Sequence, residues 1–121
     1  MLIAYWIVAA LLALFYVYSG GVKILRSREK LQPMMKWVDS TPLPVVRLIG
    51  VLEVLGAIGL IVPPLTGIAP ALAFAAAVGL VAVQVGAVIV HLARGEARQL
   101  GFNIALIVLA VVTVWLATFW L

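Results

Sequence analysis

Four long apolar stretches, Leu2 to Val22, Val45 to Ile61, Ile68 to Leu92 and Phe102 to Leu121, alternate with short polar ones. An α-helix needs about 20 such residues to cross a hydrocarbon core of about 30 Å. The second stretch is the shortest but extends back to Pro42, and the third is long enough to span with some tilt. Spans are therefore predicted at about 2–23, 43–61, 68–92 and 101–121, within a single transmembrane domain covering residues 1–121. The first stretch has no cationic start and is too long for a typical signal-peptide core, so it reads as a retained span.

Periodicity gives each span a direction. Tyr5, Ala9, Leu12, Tyr16, Ser19 and Lys23 recur at steps of three and four and form one helical stripe. On the second helix Gly50, Glu53, Gly56, Ala57 and Leu60 fall within about 60° of one direction. Glu53 thus shares a face with small residues, which let membrane helices approach closely, and is predicted to face protein rather than lipid. The third helix carries two stripes. Gln84 and His91 share one face, while Ala75, Gly79, Ala82 and Gly86 lie about 140–160° away. Both cannot point at the bundle centre. Either the small stripe packs on a neighbour or a second protomer, or Gln84 and His91 sit toward a lateral crevice. The packing surface is the favoured expectation.

Composition fixes the class. The chain is 67% hydrophobic and only 10% charged, against roughly 25% charged residues in a soluble domain. Its mean hydropathy is +1.31, which is membrane composition. The net charge of +4 matters mainly through its placement. Lys23, Arg26, Arg28, Lys30 and Lys36 fall between spans one and two, and Arg94 and Arg98 between spans three and four. The PPLTG connection between spans two and three carries no charge. The positive-inside rule then places both basic connections in the cytoplasm and both termini outside a cytoplasmic (inner) membrane. Tyr5, Trp6, Trp115, Phe119 and Trp120 are expected to form an outer aromatic belt. Basic residues confined to short connections argue against nucleic-acid binding. With no cysteine, disulfides and thiol chemistry are excluded.

The first connection contains a pattern of its own. Leu31, Met34, Met35 and Val38 share a face, Pro33 suits a first turn and Trp37 suits an interface. A short amphipathic helix lying in the membrane interface is predicted here. Met34 and Met35 could instead line a ligand site, but interfacial packing is the simpler role. Thr41 as N-cap with Pro42 as first helical residue marks the start of span two. The expected fold is all-α, a membrane-embedded four-helix bundle with one short interfacial helix between spans one and two.

Candidate chemistry gathers in one half of the membrane. Glu53 lies about 12 Å inside its span at 1.5 Å per residue, and Gln84 counts to the same depth. Tyr16, Ser19, Lys23, His91 and Asn103 lie on the same side of the midplane. A carboxylate at such depth is costly and needs partners. Lys23 either snorkels to headgroups or bends inward to meet Glu53. Arg47, about 120° from Glu53 around the helix, is placed to reach phosphates, and with Arg94, Glu96 and Arg98 it is assigned to the interface. A single histidine cannot provide bis-histidine haem ligation, and Glu53 with His91 is too small a donor set for a zinc or di-iron site. A Ser19–His91–Glu53 hydrolytic triad lacks an oxyanion hole. No phosphate-binding loop is present, since GVLEVLG is helical and follows no strand. What remains is a buried acid near a lysine, a histidine and two amides. Such a cluster can staple helices, hold the head of a quinone or lipid, or relay protons.

The segments YSGGVKIL (Tyr18 to Leu25), RLIGVLEVLGAIGLIVPPLTGIAPALA (Arg47 to Ala73), AAAVGL (Ala75 to Leu80) and HLARGE (His91 to Glu96), followed by Asn103, resemble the DoxX-like group of small four-span membrane proteins, relatives of DoxX and DoxD. The resemblance covers almost the whole chain. It implies a four-helix bundle in the cytoplasmic membrane, with Lys23, Glu53, His91, Glu96 and Asn103 as its polar signature. Some members are linked to quinone-coupled sulfur oxidation or to redox complexes with soluble partner enzymes, although a thiol-based role does not carry over to a chain without cysteine. The function expected is a scaffold or accessory subunit rather than a stand-alone enzyme. The alternatives are a quinone- or lipid-binding redox component and a small transporter or proton relay. No cofactor is established by sequence. The expected partners are the lipid bilayer, a second copy of the chain or a soluble redox protein on the cytoplasmic side.

Overall fold

The computed structural model describes residues 2–27, 29, 41–95 and 100–121. Four α-helices carry the chain: α1 Leu2–Leu25, α2 Leu43–Thr66, α3 Leu72–Ala93 and α4 Leu100–Ala117, with a closing 3₁₀ turn Thr118–Trp120. Each helix, α4 together with its closing turn, is long and apolar enough to cross a membrane. No strand occurs among the described residues. The interfacial helix expected at Leu31 to Val38 lies outside the described residues, as do Glu96 and Arg98.

The buried positions explain why these helices form a bundle. The main stripe is Tyr5, Ala9, Leu12, Tyr16, Ser19 and Lys23 on α1, with Ala13, Gly20 and Val22 buried beside it, and Val46, Gly50, Glu53, Ala57, Leu60 and Pro64 on α2. On α3 it is Ala73, Ala77, Leu80, Gln84 and His91, and on α4 Asn103, Leu106, Ala110, Thr113 and Ala117, with Leu116 buried beside it. Alternating steps of three and four give a mean period near 3.5, the spacing of knobs-into-holes seams in antiparallel bundles. The seam is rich in alanine and glycine because lipid supplies no hydrophobic drive between helices, so close van der Waals contact must do so. Large side chains such as Leu14, Leu55, Ile89 and Val108 face outward instead. Sequential helices pack on one another, and α1 closes the ring against α4.

The cap and the far end of α2 differ from expectation. The helix α2 begins at Leu43, with Pro42 as N-cap at ψ 138° and Pro44 in the first turn, so Thr41 stands one residue too early to cap it. At its other end α2 continues through Pro63 and Pro64 to Thr66, where the sequence suggests a loop. Proline at 64 removes the N–H that would bond the Leu60 carbonyl. The Tyr5 hydroxyl donates to that carbonyl at 2.6 Å and replaces the lost bond. Gly67 then ends the helix at φ 74°, its N–H donating to the Pro63 carbonyl, a left-handed cap that suits glycine.

Tyr5 is consequently 1% exposed and is no part of a lipid-facing belt. Its ring packs edge-on against Trp6 and Trp120, which brings the two ends of the chain together. Tyr5→Phe should cost about 1–2 kcal/mol, because a buried carbonyl is left without a donor. Tyr18→Phe, at a 56% exposed position, is the control and should be silent. Unfolding midpoints of the two variants in mixed micelles measure the difference, and equal midpoints would refute this role for Tyr5.

Candidate functional site

The last turns of α1 and the middle of α2 meet through glycine. A Cβ built on Gly20 would lie 2.5 Å from the Gly50 carbonyl oxygen, and one on Gly50 would lie 2.7 Å from the Gly20 carbonyl oxygen. The backbones therefore touch, as in small-residue crossings of membrane helices. A Cβ on Gly20 would also meet Glu53 Cβ at 3.2 Å, and one on Gly50 would meet Lys23 Cβ at 2.8 Å, so each charged residue sits against the glycine of the opposite, antiparallel helix and the long lysine side chain spans the step between them.

There they form a buried ion pair, Lys23 Nζ to Glu53 Oε1. Lys23 Nζ also donates to Ser19 Oγ at 2.8 Å, one turn back on the same helix. Ser19 Oγ in turn donates to Glu53 Oε2 at 2.9 Å. Both carboxylate oxygens are thus engaged, one by the ammonium and one by the hydroxyl. Glu53 is 1% exposed and Lys23 7%. Lys23 bends inward rather than snorkelling to headgroups. Fixed charges so deeply buried are tolerable only when paired and hydrogen-bonded in this way.

A second net lies beside the first. Asn103 Nδ2 donates to Gln84 Oε1 at 2.9 Å, and Gln84 Nε2 donates to Tyr16 Oη at 2.9 Å. It joins α4, α3 and α1, and Tyr16 lies one turn from Ser19 of the first net. His91, two turns beyond Gln84, is buried on the same face of α3. The seven residues Tyr16, Ser19, Lys23, Glu53, Gln84, His91 and Asn103 therefore all face the interior, near the end of the bundle where the two basic connections lie.

Arg47, assigned to the interface by the sequence, is anchored at the end of α1. Its Nη1 donates to the Lys23 carbonyl at 2.8 Å and to the Arg26 carbonyl at 2.6 Å. Lys23 lies in the last turn of α1 and Arg26 just after it, and a cation there opposes the negative end of the helix dipole. The guanidinium thus fastens α2 to the end of α1. Arg94 follows α3 in a turn with Gly95.

All four helices border a crevice of about 1290 Å³. Its polar end is formed by Ser19, Lys23, Glu53, Gln84, His91 and Asn103. Its apolar length follows Gly56 and Gly59 of α2 and Ala75, Gly79, Ala82 and Gly86 of α3. These four α3 residues are exposed, so the crevice reaches the outer surface of the bundle. The two stripes of α3 are thereby reconciled. Gln84 and His91 form the inner wall, and the small stripe forms the margin, where no other described helix covers it. Phe15 and Phe102 also border the crevice and pack edge-on at 5.5 Å between α1 and α4.

Sequence reasoning did not single out Gly20, although the matched Gly-x-x-Lys and Gly-x-x-Glu spacings on two adjacent helices were a usable sign. Phe15 and Phe102 gave no such sign.

The DoxX-like family profile matches residues 7–113, nearly the full chain. The chain belongs to the DoxX-like family. No curated protein and no solved structure matches it. In this DoxX-like protein the matched region contains both hydrogen-bonded nets, the Gly20–Gly50 crossing and every residue bordering the crevice.

Proposed function

We propose that this protein is an accessory membrane subunit that binds a membrane-dissolved amphiphile, a quinone or a lipid, in the crevice between its helices. The observation that carries this reading is the crevice itself. One end offers hydrogen-bonding groups at a fixed depth, and the rest is a small-residue channel reaching the bilayer side of α3. A polar head among Glu53, Gln84, His91 and Asn103 with its tail along Gly79 and Ala82 satisfies both parts, as mostly apolar pockets with a few convergent polar groups commonly do. In the orientation proposed, both termini face outward from the cytoplasmic membrane, so the head lies in the inner leaflet. The basic connections are then available to a soluble partner.

A Cβ at Gly79, which borders the crevice, would meet nothing within 4 Å, so a larger side chain is introduced there to obstruct the channel. Protein extracted in mild detergent should carry a co-purifying quinone or lipid that Gly79→Leu loses, while the variant keeps the parent's unfolding midpoint. Mass spectrometry of the extracted lipids reads the outcome. Identical lipid profiles for the two proteins would sink the binding role. A pure scaffold would then be favoured, a reading supported by the completeness of the Lys23–Ser19–Glu53 net.

A further inference from the structure

The charges bordering the crevice have a consequence for what it admits. Lys23 and Glu53 are opposite, in contact and committed to each other, with Ser19 completing the carboxylate. An anionic head would need a cation, and a cationic head would need an anion. Either would have to pull apart a pair that is already satisfied, in a medium where an unpaired ion is heavily penalised. An uncharged head faces no such cost. It can use the second Nδ2 proton of Asn103 and the remaining lone-pair positions on Glu53 while leaving the ion pair whole.

We infer that the crevice selects amphiphiles with an uncharged, hydrogen-bonding head, and that Lys23 and Glu53 set this selectivity together by cancelling. The inference rests on the amphiphile-binding role proposed above. It also makes a distinctive demand. Neutralising one member of the pair should not merely weaken binding but should change which head charge is preferred. In Glu53→Gln the Lys23 ammonium lacks its counter-charge, which an anionic head can supply. In Lys23→Met the Glu53 carboxylate lacks its own, which a cationic head can supply.

Three probes with the same eighteen-carbon tail separate these cases: oleyl alcohol, oleate and oleylamine. Partition of each radiolabelled probe between the purified protein and the detergent micelle is measured at a pH where both charged heads are ionised. The parent should take up oleyl alcohol at least about tenfold more tightly than either ion. Oleate should become the preferred probe in Glu53→Gln, and oleylamine in Lys23→Met. Should a variant fail to fold, the ranking of the three probes by the parent alone decides. Equal uptake of all three by the parent, lost in Gly79→Leu, would overturn the charge selectivity and leave amphiphile binding standing. Uptake no greater than micelle background, or unaffected by Gly79→Leu, would overturn the binding role and the selectivity with it.

Discussion

Glu53→Leu and Lys23→Met are each expected to lower stability by about 3–5 kcal/mol, whereas the two changes together should bring it back to within about 1 kcal/mol of the parent or above it. Each single change strands a charge or forces its neutralisation among buried groups: Lys23 loses its carboxylate, or Glu53 keeps only Ser19. The double change removes both charges and puts side chains of similar length into an apolar seam. Ser19 can then turn back to a carbonyl of its own helix, as serine does in membrane spans. Unfolding midpoints of the four proteins in mixed micelles form a double-mutant cycle. If the double variant loses the sum of the single losses, the pair is uncoupled and the residues act only through packing. The result also separates staple from site. A double variant as stable as the parent that has lost its co-purifying amphiphile would show that the pair is not needed to hold the helices together.

The directions of the helices were legible because burial in this bundle follows steps of three and four. The stripe from Tyr5 to Lys23 is the buried seam of α1, and the face around Glu53 is that of α2. Depth counting placed Glu53 and Gln84 at a common level, with the hydroxyls of α1 on the same side of the midplane. It could not say which would pair, since that depends on rotation about each helix axis and on how closely the axes approach. The Gly20–Gly50 contact sets that approach between α1 and α2, and it joins Lys23 to Glu53 while Gln84 turns to Tyr16 and Asn103. Local propensity misled at Pro63 and Pro64, because the donor that takes the place of the missing Pro64 N–H is the Tyr5 hydroxyl, 55 residues before the Leu60 carbonyl it reaches. The partners of Arg47 were not legible for a related reason. They are backbone carbonyls, which leave no trace in the residue pattern.

The adjacent glycines Gly20 and Gly21 should respond in opposite ways to the same substitution. An alanine methyl at 20 would meet the Gly50 carbonyl oxygen at 2.5 Å and Val54 Cγ2 at 2.7 Å, and the first of these is backbone with nowhere to turn. The helices must part locally, which costs about 1–3 kcal/mol in overpacking alone. The same methyl at 21 meets nothing within 4 Å, so only the helix preference of alanine is felt, a gain of up to about 1 kcal/mol. Gly20→Ala and Gly50→Ala should therefore unfold well before the parent, and Gly21→Ala at or after it. Similar midpoints for Gly20→Ala and Gly21→Ala would mean that α1 and α2 do not cross at these glycines. Parting the helices also lengthens the reach from Lys23 to Glu53, so part of the cost of Gly20→Ala is electrostatic. Placed in the Lys23→Met, Glu53→Leu background, Gly20→Ala should then lose less stability than it does in the parent. The difference measures how far the close approach of two backbones serves to hold one ion pair.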